Sequence, residues 1–221
     1  MNVTQVIAAE AFRFVLIRPA VYIPGIVMKL SQRYGFLGLP PADDILHPGT
    51  RPLTFSHGKF SGADGIEVLV QTLKVFPQAV SVDTTSSTQV SEAILDDLAE
   101  WATSSLNLQI QQINPRRVYL SQLELTLDAQ LERCFPTTNP VRQRLMDSLR
   151  SYGQEGPMAF QVSSLGLNVD PTKSAVACDF RIERRVNWPY EANTYFSQAP
   201  LTTADHVAVL EEFERVMQAA A

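Results

Sequence analysis

Leu95 and Leu210 lie 115 residues apart, and the same spacing links Thr88 to Thr203, Asp96 and Asp97 to Glu211 and Glu212, and Leu98 to Phe213. The first member of this pair is a clear helix. Ser86, Ser87 and Thr88 open it, Val90, Ile94, Leu98 and Trp101 fall on one stripe, and Glu92, Asp96, Asp97 and Glu100 turn away toward solvent. A helix that returns at fixed spacing implies two similar halves, expected at residues 1–110 and 111–221.

The remaining elements follow in the same order twice. Residues 12–17 are aromatic and β-branched and stop at Pro19, which predicts a strand. Pro24 suits a first helical turn, Ile23, Val27, Leu30 and Tyr34 make a stripe, and Gly35 offers a stop. The proline-rich residues 36–52 read as a long surface loop. Residues 53–60 and 66–76 form two strands around a turn at 61–65, and the helix above follows. In the second half, residues 118–131 read as a strand whose two apolar phases call for a bulge near Ser121 and Gln122. Asn139, Pro140 and Gly153 bound a helix with the stripe Val141, Leu145, Leu149 and Tyr152. Strands at 158–169 and 176–185 and a helix at 203–217 complete the half.

The fold class that results is α+β, with two similar β-α-β-β-α halves packed as one unit, a mostly antiparallel sheet, and helices on one face. This order resembles the ferredoxin-like α+β sandwich in topology, which implies a fold and says nothing of function.

A chain of 221 residues is long enough to bury a core without staples, and Cys134 and Cys178 do not describe a disulfide framework. A net charge of −5 argues against a general phosphate-tracking surface. Residues 11–27 are apolar, but Arg13, Arg18, Pro19 and Pro24 interrupt them, and only Glu10 is charged before that run. A soluble, cytoplasmic protein without a membrane segment is expected.

No close ligand spacing predicts a metal, and no phosphate or dinucleotide loop predicts a cofactor. The catalytic candidates are His57 as a base with Asp64 or Asp83 as its orienter. Cys134 sits beside Arg133, a setting that can lower a thiol pKa, but no neighbouring histidine marks a nucleophile, and Cys134 and Cys178 both read as structural. The acidic pairs Asp96–Asp97 and Glu211–Glu212 lie on faces expected to be wet. The least ordinary stretch is 187–202, where Trp188, Tyr190, Tyr195 and Phe196 stand between Pro189 and Pro200. Aromatics on a proline-bounded loop suit a protein interface. Arg181, Arg184 and Arg185, with Arg116 and Arg117, would supply its basic rim.

The sequence thus favours a non-enzymatic interaction or assembly subunit that holds a protein partner or a second copy of itself. A small-ligand sensor or enzyme with a pocket between the halves is the alternative, and nucleic-acid binding through the arginines is the weaker one.

Overall fold

The computed structural model describes residues 1–18, 23–47, 51–62, 65–154, 159–170, 172–173 and 179–219. Its elements are β1 (Asn2–Arg18), α1 (Ile23–Tyr34), α2 (Ala42–Leu46), β2 (Leu53–Ser61), β3 (Glu67–Phe76), β4 (Ala79–Thr84), α3 (Thr88–Leu106) and β5 (Gln109–Thr126). Then come α4 (Asn139–Ser151), β6 (Ser164–Asn168), β7 (Asp179–Arg184), β8 (Thr194–Ala199) and α5 (Thr203–Ala219). The strands form one antiparallel sheet of eight in the order β2-β3-β4-β1-β5-β8-β7-β6. No helix among the described residues is long and apolar enough to cross a membrane.

Two strands, β4 and β8, occupy stretches that the sequence assigns to loops. In β4 every residue but Asp83 is buried, Ser81 included, so the burial does not follow the short alternation of Val80 and Val82 with Ser81 and Asp83, and Pro77 and Gln78 form the short turn that folds it back on β3. In β8 the inward positions are Tyr195, Ser197 and Ala199, so serine and alanine hide the apolar period. The extra strand also corrects the ferredoxin-like expectation. Three successive antiparallel pairings, β2 with β3, β3 with β4 and β4 with β1, leave β1 and β2 running in opposite directions. A split β-α-β would hold them parallel.

The chain divides into two compact units, a larger one of Val6–Gln122 and Ala199–His206 and a smaller one of Met1–Gln5, Leu123–Gln198 and Val207–Ala221. In the larger unit, Val27, Leu30 and Tyr34 of α1 and Ile94, Leu95 and Leu98 of α3 bury their stripes in one cluster with strand residues such as Phe55 and Leu73. Ser87 caps α3 by accepting the Val90 N–H at 3.3 Å. Asp97, half-exposed on α3, does more than meet water. It accepts two hydrogen bonds from the Arg33 guanidinium, at 3.2 and 2.6 Å, and one from the Tyr34 hydroxyl at 2.6 Å, tying α3 to α1.

In the smaller unit, Leu123, Leu125, Leu127 and Ala129 alternate inward and are buried with Leu131, Ile182, Tyr195, Leu210 and Met217. From Ser121 to Ala129 the buried positions alternate without a break.

Close packing around Gly58 gives a direct test of the larger unit's core. A Cβ at this position would meet the Phe36 ring at 2.4 Å, and Phe36 is itself buried between Tyr34 and Phe55. Gly58→Ala is expected to cost about 1–3 kcal/mol through overpacking. Urea denaturation should show that the double variant with Phe36→Leu costs less than the two single changes added together.

Candidate functional site

His57 lies on β2, an edge strand, with its side chain exposed and its backbone at φ +55. Its carbonyl accepts the Leu37 N–H at 3.3 Å, so this residue shapes the path of the segment that seats Phe36. Asp83 lies on β4, with β3 between, which puts it about 10 Å away across the sheet. The structure therefore does not join His57 and Asp83 as base and orienter. Asp64 lies outside the described residues.

Asp83 has an environment of its own. It stands directly opposite Glu10 in the β1–β4 register and accepts the Ala9 N–H at 3.2 Å. Burial, and then the neighbouring Glu10 charge, push its carboxyl up to about 6. Burial raises the thiol pKa of Cys134, and Arg133 does not activate it. Cys178 and the side chain of Arg116 lie outside the described residues. Among the described residues no cluster of three His, Cys, Asp or Glu groups is placed to hold a metal ion.

The aromatic and arginine cluster divides between inside and outside. Arg184 projects inward from β7 and is only 9% exposed. Its guanidinium reaches Glu132 at 3.2 Å, donates to the Val162 and Tyr190 carbonyls at 3.3 and 3.0 Å, and lies over the rings of Tyr190 and Tyr195. Tyr195 is fully buried on β8, and its hydroxyl oxygen accepts the Leu131 N–H at 3.4 Å. These two residues hold the fold and are removed from the exposed set. Phe196 is half-buried beneath the Arg181 guanidinium at 5.2 Å, and Arg185 pairs with Glu124 at 2.7 Å. Arg117 pairs with Glu92 at 3.1 Å. What remains outward among the rings is Trp188 and the rim of Tyr190, with Val186 beside them, and Arg117 and Arg181 are the exposed arginines of the set.

The larger apolar exposure lies on α4, which the sequence marks as a helix without marking it as a surface. None of its residues is buried. Tyr152, just past its end, is 75% exposed where Tyr34 at the end of α1 is 3% exposed, and Leu145 is 44% exposed where Val27 of α1 is 4% exposed. The two helices have the same place after the first strand of their halves, and each stops at a glycine with positive φ, Gly35 at +60 and Gly153 at +80. One stripe meets a core and the other meets water. Around the open stripe α4 carries Arg142, Arg144 and Arg150 against a single acid, Asp147, in a chain whose net charge is −5. The signal available in the sequence was this arginine count beside an apolar stripe.

No family model matches the chain, and no curated protein matches it.

Proposed function

We propose that the protein is a non-enzymatic interaction or assembly subunit and that α4 is its docking element, inserted into an apolar groove with an acidic rim on a partner protein. The observation that carries this reading is a 13-residue amphipathic helix with no buried residue and with three arginines beside its apolar stripe. Val141, Leu145, Leu149 and Tyr152 have the spacing by which a helix fills a groove, and the arginines match acidic groups at its edge. Trp188 belongs to the same unit and has a secondary role. Arg184 and Tyr195 support the turn that carries Trp188.

The test uses the purified full chain and a variant with Val141→Ser and Leu145→Ser, whose side chains are exposed, so that the fold is kept. The expected result is an acidic protein retained by the wild type, released by raised salt, and lost at least tenfold with the double variant. Retention that ignores both changes would overturn the assignment. Self-association that the double variant abolishes, or binding to phosphatidylglycerol vesicles, would give the face to a second copy or to lipid instead.

We also infer that residues 1–110 and 111–221 are two versions of one β-α-β-β-β-α unit. In support, β4 and β8 begin at Ala79 and Thr194, and α3 and α5 at Thr88 and Thr203, each at the spacing of 115. Ser91 and His206, Leu95 and Leu210, and Ala102 and Met217 are buried pairs at that same spacing. Thr88 and Thr203 exchange hydrogen bonds, each backbone N–H donating to the other's hydroxyl at 3.0 and 2.8 Å.

A further inference from the structure

We propose that the larger unit binds one medium-length alkyl carboxylate, with its chain in an apolar cavity beneath α3 and its carboxylate on Arg13. Two cavities lie there. One, of about 80 Å³, has an entirely apolar lining that includes Leu30, Trp101, Ala102 and Leu108. The other, of about 160 Å³, is lined by Val15, Leu95 and Ala99, with Arg13 as its one polar residue. Val80, Leu98 and Ile110 line both, so the two spaces adjoin across those side chains. Protein interiors leave few voids larger than a water molecule, and a dry apolar void takes up apolar guests. Counting a methylene as about the size of a water in the liquid, roughly 30 Å³, the two spaces hold a chain of about eight carbons.

The charges around Arg13 select the head group. Arg13 donates to Asp96, whose side chain is exposed, and its guanidinium lies 3.6 Å from Glu92. Glu92 has stronger ties of its own, to Arg117 at 3.1 Å and to the Tyr119 hydroxyl at 2.9 Å. Asp96 is the exposed member of that pair, its side chain 71% accessible against 15% for Arg13, so the carboxylate is free to turn out to water. With Asp96 turned out to water, two guanidiniums share one carboxylate, and the remaining positive charge presents the fork that a second carboxylate fits.

Octanoate is the probe, titrated into the full chain carrying Trp188→Phe, so that Trp101 in the cavity wall is the only tryptophan. The expected result is a saturable change in Trp101 emission with matching heat. Arg13→Gln should weaken octanoate at least tenfold. Methyl octanoate, in which the carboxylate is esterified, should bind at least tenfold more weakly than octanoate and ignore that substitution, which separates a free acid from an ester-linked chain. Ala99→Leu and Ala102→Leu, each checked for an unchanged melting temperature, should each reduce octanoate binding at least tenfold by filling the space. The proposal is overturned by the absence of a saturable signal, by octanoate affinity indifferent to both filling variants, or by hexadecanoate binding as tightly as octanoate.

Discussion

Replacing Arg184 with alanine is expected to destabilise the smaller unit by about 3–5 kcal/mol, the cost of leaving a buried charge without its partner. The partner is Glu132, half-buried in the 3-10 turn Leu131–Cys134. The loss extends beyond one ion pair, since the guanidinium also satisfies the Val162 and Tyr190 carbonyls and covers two tyrosine rings. Arg184→Lys keeps the charge and forfeits the planar fork, so it should fall between wild type and alanine. Urea denaturation of the three proteins orders them. An alanine variant within about 0.5 kcal/mol of wild type, as for an ordinary surface change, would show that the cluster is decorative.

The second large effect is a dependence of stability on pH centred on His206. This imidazole is fully buried in the first turns of α5, with Nδ1 3.0 Å from the Ser121 hydroxyl, and burial holds its pKa down to about 4 against an ordinary 6.5. Because the folded chain resists the proton that the unfolded chain accepts, His206 favours folding fully above pH 6.5 and loses that contribution as pH falls toward 4. The loss reaches about 3 kcal/mol. Asp83 works in the opposite direction. Its carboxyl is raised in the fold to about 6, so the folded chain takes up its proton first, and stability rises from Asp83 as pH falls from about 6 toward 3.8. The wild-type curve alone would therefore look flatter than either group makes it. The informative quantity is the difference in unfolding free energy between wild type and His206→Gln, which should shift by about 3 kcal/mol against the wild type between pH 7 and pH 4. Parallel curves would show that His206 does not remain neutral inside the fold.

Local signals in the chain that need no tertiary context were readable. The Ser87 cap, the Ile94 and Leu98 stripe and the Gly35 stop all require only the chemistry of one helix, and each element formed where it was expected. What eluded the sequence was anything decided by a second layer. The strand β4 has its polar face, Ser81 and Asp83, covered along with its apolar one, and Tyr195 looks like an interface aromatic until Leu131 and Arg184 close over it. The α4 stripe was legible as a stripe, but nothing in its residues says whether a core awaits it. His206 has no local sequence signal beyond its place in the first turn of a helix. Its spacing to Leu210 and Met217 placed it on the buried side of α5.

The division of the chain has a consequence for biosynthesis. The larger unit takes its last segment, Ala199–His206, from far beyond the 117 residues of Val6–Gln122. While the ribosome is still translating the intervening stretch, Thr88 lacks the Thr203 backbone that its hydroxyl accepts, and Ser121 lacks the His206 ring beside it. The emerging polypeptide must therefore wait, partly uncovered, for a short segment made only after the intervening stretch, and chaperone engagement in that interval would fall on the surface that Ala199–His206 later covers.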